Sequence, residues 1–388
     1  MRQNGKLLHK AIALACCGTA VSVCVAQSTD AAKRQDERVR INQIQVVGSH
    51  NSYHAGFAPS EAKWLAEKNP RAYHSLEYRH APLDEQLSGG VRQLEIDVFS
   101  DPKGGRFAHP KIVQMVKDAG LPEDPEFDPK HEMDKPGFKV MHIQDIDERT
   151  FCHTFVACLQ SVRGWSKSHP GHLPVFLLIE TKEGDMKDMP DAVKTEPFTS
   201  AVFDALDAEI RSVFNESEMI TPDTVRGKYP TLGKAVLAGK WPTLAQARGK
   251  VVFLMDQKKA GPIYAAGHPS LKGRVLFTNA DPGQPDAAFV EQNDGTKEEI
   301  DSLVRRGYLV RTRSDEGTEA ARTNDTKRRD TALASGAQMV STDYPPSEPS
   351  QWTSYVVKLS GGVAGRCNPV NAPAGCKSEL LEEGSSPR

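Results

Sequence analysis

The sequence lacks three things that would assign it quickly. Positive charge is not in excess: 49 Lys and Arg stand against 51 Asp and Glu, a formal net charge of −2, and no basic stripe marks a nucleic-acid partner. Cysteine is sparse, seven in 388 residues, with no Cys-x-x-Cys pair and no spacing that closes a tetrahedral zinc site. There is also no apolar run of the ~20 residues that a comfortable membrane span needs.

The apolar segment at residues 11–26 follows Arg2, Lys6 and Lys10, is broken by Cys, Gly, Thr and Ser, and ends in Cys24-Val25-Ala26. It reads as a secretory signal cleaved after Ala26, which predicts a secreted or periplasmic protein. A retained anchor is the competing reading, and Leu14-Ala15-Cys16 faintly resembles a lipoprotein cleavage site. Cleavage would remove three basic and no acidic residues, taking the net charge from −2 to −5. It would leave Cys152, Cys158, Cys367 and Cys376. An even number of cysteines in an exported chain points to disulfides. Four cysteines allow three connectivities, of which the local pairs Cys152–Cys158 and Cys367–Cys376 are the simplest. Two residues six apart in one continuous helix are beyond disulfide reach, so bonding of the first pair requires a helix that begins near Cys158.

Strand-like runs bounded by turn residues recur at 41–47, 92–98, 139–143, 175–180, 251–256, 275–278, 308–312 and 338–342. Helical stretches lie between several of them, at 156–168, 199–214, 296–306 and 318–335. This alternation predicts parallel βα units and a (β/α)8 TIM-type barrel of the α/β class, with its active site at the C-terminal ends of the strands. The expected organisation is a signal at 1–26, a linker at 27–40, a barrel at 41–358 and a C-terminal extension at 359–388. Residues 99–138, rich in Pro, Gly, Asp and Lys, form an insertion beside the barrel mouth.

Chemistry-bearing residues collect at the predicted strand ends. The first strand runs into Gly48-Ser49-His50-Asn51-Ser52-Tyr53-His54, which taken alone is no more than a polar turn. The second alternates Leu94, Ile96 and Val98 with Glu95 and Asp97, so period two places both carboxylates on one face. Inside a closed barrel that face is the mouth, where two carboxylates repel unless a cation holds them. The third strand ends at His142. The fourth, a near-continuous apolar run of the kind buried parallel strands show, ends at Glu180, with Lys182 on the same face. Asp256, Arg311, Arg313 and Asp343 follow later strands and are substrate-site candidates by position alone.

Ser49-His50-Asn51-Ser52-Tyr53, Leu94-Glu95-Ile96-Asp97, Val140-Met141-His142 and the run from Pro174 to Glu180 together resemble, in order, the signatures of the calcium-dependent phosphoinositide-specific phospholipase C family. The likeness is to its compact secreted microbial branch, with no sign of pleckstrin-homology, EF-hand or C2 modules. The resemblance implies that His50 and His142 are the catalytic histidines and that Asn51, Glu95, Asp97 and Glu180 ligate Ca2+. It also implies a phospholipid substrate met at a membrane surface. One departure is the interval from Asp97 to His142, longer than in the animal enzymes.

The residue types suit that chemistry. Three carboxylates and an amide oxygen form an all-oxygen shell matched to Ca2+, and histidines suit proton transfer and phosphoryl stabilisation. The nearest rival is a glycerophosphodiester phosphodiesterase or a sphingomyelinase D-like enzyme on the same barrel. Asn51 directly after the first histidine, and a carboxylate on the fourth strand, favour the phospholipase C reading. A non-enzymatic lipid- or sugar-binding barrel would be expected to lack at least one of these groups.

Overall fold

The computed structural model describes residues 30–187 and 189–382; the expected signal at 1–26 lies outside the described residues. Strands β1 (Ile44–Ser49), β2 (Gln93–Val98), β3 (Val175–Thr181), β4 (Val251–Met255), β5 (Phe289–Glu291), β6 (Leu309–Arg313) and β7 (Met339–Thr342) stand side by side in the order β4-β3-β2-β1-β7-β6-β5. All neighbours along this path are parallel. Residues 275–279 complete the ring: Phe277 bridges to Leu254 of β4 and Asn279 to Phe289 of β5, both in parallel sense. The result is a nearly closed α/β barrel of the TIM type.

Strand β8 (Gly365–Cys367) runs antiparallel to the first half of β1, pairing Ile44 with Cys367 and Val46 with Gly365. A Cβ at Gly365 would lie 2.5 Å from Leu173 Cδ1, so a larger residue there would have to displace that side chain. The segment after residue 358 thus adds a strand to the barrel's edge, and its Cys367–Cys376 disulfide closes it.

The core is built by the period-two pattern and the apolar runs. Every residue from Val175 to Ile179 is buried, because β3 is covered on one side by helices and on the other by the barrel interior. Truncating Leu177 to Ala would cost about 2–5 kcal/mol. Helix Phe155–Ser168 is capped by Thr154, whose hydroxyl accepts from Ala157 N, and it buries Phe155, Leu159, Val162 and Trp165. The Cys152–Cys158 disulfide forms with Cys152 ahead of this helix and Cys158 in its first turn, Cα atoms 5.2 Å apart. Helices Ser200–Val213 and Lys297–Arg305 lie where the pattern predicts.

Three expectations change. The run 139–143 is not a barrel strand: Lys139 makes isolated antiparallel bridges to Phe99 and Thr154, and Ile143 to Asp147. It forms a hairpin beside the mouth, next to a small core of Phe99, Phe107, Met133 and Met141 supplied largely by the insertion. The missing barrel strand is β5, only three residues long. The predicted helix at 318–335 is two helices, Glu319–Thr323 and Lys327–Ala334, broken at Asn324 with φ of 55°, a left-handed value that Asn tolerates.

Candidate active site

Each site residue sits where a parallel strand stops or just beyond it. His50 and Asn51 follow β1, Glu95 and Asp97 belong to β2, Glu180 and Lys182 end β3, Asp256 follows β4, Arg311 and Arg313 lie on β6, and Asp343 follows β7. The structure brings all of them, with His142, to one barrel mouth. His142 arrives by the hairpin rather than by a strand. That hairpin turns through Asp145, whose φ is 68°. The Asp145 carboxylate accepts from Lys111 N at 3.1 Å and Val193 N at 2.6 Å, which ties the turn to two neighbouring segments.

Among the described residues, one group of three acidic, histidine or cysteine side chains brings its ligand atoms within 4.8 Å of one another: Glu95, Asp97 and Glu180. Asp97 pairs with Glu180 across the β2–β3 register, and both are held at adjacent strand ends. Burial, then Glu180, pushes the Asp97 carboxyl well up, with Lys182 opposing. Neither Asp97 oxygen has a hydrogen bond, although Lys182 Nζ approaches Oδ2 at 3.1 Å as an ion pair. The same ammonium donates to Glu180 Oε1 at 3.2 Å. Burial alone would lower it, but Asp97 and Glu180 outweigh that and raise it.

Asn51, on the loop that follows β1, offers a further oxygen. Its backbone has φ of 45°, and its side-chain Nδ2 donates to Tyr78 Oη at 2.8 Å. The amide is therefore oriented, and Oδ1 is left buried without a partner. The next residue ties this loop to β2, as Ser52 N donates to Glu95 O at 3.0 Å and Ser52 Oγ accepts from Glu95 N at 2.8 Å. Orphaned oxygens on Asn51 and Asp97, beside Glu95 and Glu180, fit a hard divalent cation such as Ca2+.

Both histidines are held by carboxylates. His50 Nδ1 donates to Asp343 Oδ1 at 2.7 Å, and its Nε2 lies 3.7 Å from Glu95 Oε1. Arg313 holds Asp343 Oδ2 at 3.2 Å. His142 Nδ1 donates to Asp147 Oδ2 at 2.9 Å. In each ring Nδ1 is committed, so Nε2 is the nitrogen available for chemistry. Burial, then Arg313, lowers His50 well below the ordinary histidine value. Burial likewise lowers His142, with Asp147 opposing.

The opposite wall is a second charge network. Arg311, almost fully buried, donates to Glu95, to Glu291 Oε1 at 2.8 Å, to Asn293 Oδ1 at 2.7 Å and to Ser341 Oγ at 3.1 Å. Asp256 is pushed up to about 10 by burial, then by Glu291, Glu95 and Glu180. Arg311 is thus a structural tether for Glu95 as well as a mouth residue.

Several members of the site were outside the residues singled out from sequence. His54 ends the first motif with no role that the sequence marks; its Nε2 donates to Asp147 Oδ1 at 2.8 Å. Asp147 lies five residues past His142 in an aperiodic stretch. His80 Nε2 donates to His50 O at 2.8 Å while its Nδ1 donates to Glu348 Oε2 at 2.6 Å, fixing the backbone of the first histidine. Glu291 could not be placed because its strand is too short to show a period.

The fold has solved counterparts. A calcium-dependent phosphoinositol-specific phospholipase C from a Gram-negative Pseudomonas sp, in its apo form, is 15% identical with a TM-score of 0.54, over 86% of this chain and 96% of that one. The same enzyme with myo-inositol gives 16% and 0.53, over 85% and 96%. A Ca2+-dependent phosphatidylinositol-specific phospholipase C from Streptomyces antibioticus gives 19% and 0.47, over 79% and 95%. No curated protein matches the chain. The family model described as phosphoinositide phospholipase C, Ca2+-dependent, matches residues 39–369, and the chain belongs to that family of calcium-dependent phosphoric diester hydrolases.

Proposed function

We propose that this protein cleaves phosphatidylinositol-type lipids into diacylglycerol and an inositol cyclic phosphate, with His50 and His142 performing the chemistry. The observation that carries the reading is the placement of two carboxylate-paired histidines beside a four-residue oxygen cradle with orphaned acceptors on Asn51 and Asp97. The myo-inositol complex of the Pseudomonas relative points to the same head group.

Asn51, Glu95, Asp97 and Glu180 would hold Ca2+, and an ion bound there would supply positive charge to acidify an inositol hydroxyl and offset charge on the phosphoryl oxygens. One carboxylate of the cradle takes the proton from that hydroxyl. His50 Nε2–H donates to a non-bridging phosphoryl oxygen as charge builds in the transition state. Asp343 fixes the ring, and the anionic phosphodiester favours the protonated form that burial and Arg313 disfavour in the free protein. His142 acts as general acid, giving its Nε2 proton to the departing glycerol oxygen while Asp147 holds Nδ1–H. Lys182, Arg311 and Arg313 balance the carboxylates around the head group, and Asp256 offers an acceptor to ring hydroxyls.

No helix among the described residues is long and apolar enough to cross a membrane. We read residues 1–26 as an export signal, 27–40 as a linker, 41–358 as the catalytic barrel with its insertion at 99–138, and 359–388 as a C-terminal extension. The direct test is turnover of His50→Ala and His142→Ala on phosphatidylinositol vesicles alongside their melting curves. Each is expected to lose about 10²-fold or more in kcat with the fold retained; near-normal rates in both would refute the assignment.

A further inference from the structure

Asp147 carries two imidazoles, and the proposed mechanism uses one of them. Its Oδ2 accepts from His142 Nδ1 at 2.9 Å and its Oδ1 from His54 Nε2 at 2.8 Å. Both His54 and Asp147 are buried. His54 Nδ1 has no partner, so the neutral ring carries its proton on Nε2, the nitrogen facing the carboxylate. The ring is clamped by Tyr78, centroids 4.8 Å apart, and by Phe57 at 6.1 Å edge-on.

His54 also joins two pieces of chain through its side chain, beside backbone hydrogen bonds from Phe151 N to Tyr53 O at 3.0 Å and from Ala55 N to Arg149 O at 3.1 Å. It follows the β1 loop bearing His50 and Asn51, with His54 N donating to Asn51 O at 2.9 Å. It bridges the far side of the hairpin at Thr150. The hairpin bearing His142 is itself attached to the aperiodic insertion and not to a barrel ladder. A second anchor on Asp147 is what sets this hairpin's carboxylate against the barrel.

We propose that His54 is a positioning residue: by donating to Oδ1 it fixes the rotamer of Asp147 so that Oδ2 meets His142 Nδ1, holding the general acid in its working orientation. This rests on the phospholipase C reading only for the word acid; the orientation itself is independent of it. Groups facing His142 are Asp147 on its own hairpin, Lys182 beyond β3, His54 and His50 from the β1 loop, and Asp343 beyond β7. Glu148, next to Asp147, is buried, and burial, then Glu61, raises its carboxyl well above the ordinary value.

The two roles open to His54 have opposite signatures. As a positive or dipolar neighbour alone it would depress protonation of His142, and its removal would raise the His142 midpoint. As a positioner its removal lets Asp147 turn away, so His142 loses its stabilising carboxylate and the midpoint falls.

The experiment is NMR titration of histidine-labelled full-length protein, with His142→Gln used to assign the signal, in wild type, His54→Phe, His54→Gln and His54→Asn. Gln reaches the Nε2 position with an amide donor; Asn falls short of it. The His142 midpoint is expected to fall by about one pH unit in His54→Phe and His54→Asn and to return in His54→Gln. On phosphatidylinositol vesicles kcat should fall about 10- to 100-fold in the first two and recover in the third, with the alkaline limb of the pH profile moving down in step. Should His54→Phe not fold, the Asn and Gln pair carries the same contrast. An unmoved or raised midpoint in folded His54→Phe or His54→Asn, or no recovery with Gln, overturns the proposal. Wild-type inactivity on the lipid with the midpoints behaving as stated would refute the lipase reading and leave the positioning role standing.

Discussion

Asp343 accepts the His50 Nδ1 proton at 2.7 Å although the two residues lie 293 positions apart. β1 and β7 are adjacent parallel strands, and the Ser49–Thr342 register puts the two residues that follow level with one another. His50 N donates to Thr342 O at 2.9 Å, closing the same corner from the backbone. Arg313 supports Asp343 from β6, so three strand ends converge on one imidazole.

Replacing Asp343 by Asn should therefore act through His50. The amide permits the wrong tautomer and removes the charge that stabilises imidazolium, and a loss of about 10³-fold in kcat is expected by analogy with other Asp–His pairs. KM for the lipid should change far less. Steady-state kinetics on vesicles check this; a selective rise in KM with kcat intact would mean that Asp343 serves head-group binding instead.

Glu180→Gln removes one anionic oxygen donor from the cradle while preserving its shape. Ca2+ affinity measured by calorimetry should weaken roughly tenfold or more, since affinity follows the number of charged ligands. Unchanged affinity would place the ion elsewhere.

Lys182→Met should have opposite effects with and without Ca2+. Its ammonium lies 3.1 Å from Asp97 Oδ2 and 3.2 Å from Glu180 Oε1, neutralising carboxylates that the ion would otherwise meet bare. In chelator the variant should be less stable by about 3 kcal/mol, the cost of leaving a buried partner unpaired. Its Ca2+ affinity should rise. Denaturant melts in chelator and calorimetric titration read the two effects separately; weaker Ca2+ binding would make Lys182 a support of the cradle, not its counter-ion.

The Asp256 carboxyl, at about 10 in the folded chain, is near 3.9 when unfolded. A raised folded value stabilises below the unfolded one, and that contribution is lost as pH rises toward 10. Melting temperature in chelator should then decline between pH 6 and pH 9, and Asp256→Asn should flatten the decline. Equal slopes in the two proteins would remove Asp256 as its source.

The parts of the site that sequence exposes are those written in a regular period. Glu95 and Asp97 are legible because alternation fixes their face, and Glu180 because an uninterrupted apolar run ends on it. The hairpin at 139–143 misleads for the same reason: Val140 and Met141 beside polar neighbours look like a strand, yet the run's bridges go from Lys139 to Phe99 and Thr154, antiparallel and outside the barrel. β5 leaves no period because three residues carry none. Asp147 is hidden because its position follows from the closure of a turn in which Asp145 is held by Lys111 and Val193, two contacts that no local pattern encodes. His142 is legible nonetheless as a candidate, since its motif marks the residue whichever element carries it.

The most direct measurement follows phosphorus NMR of phosphatidylinositol vesicles treated with the purified protein, once with Ca2+ and once with a calcium chelator. The account predicts a cyclic inositol phosphate resonance that grows only with Ca2+. Cleavage that proceeds equally in chelator, or release of phosphate products from glycerophosphodiesters or sphingomyelin with none from phosphatidylinositol, would contradict it.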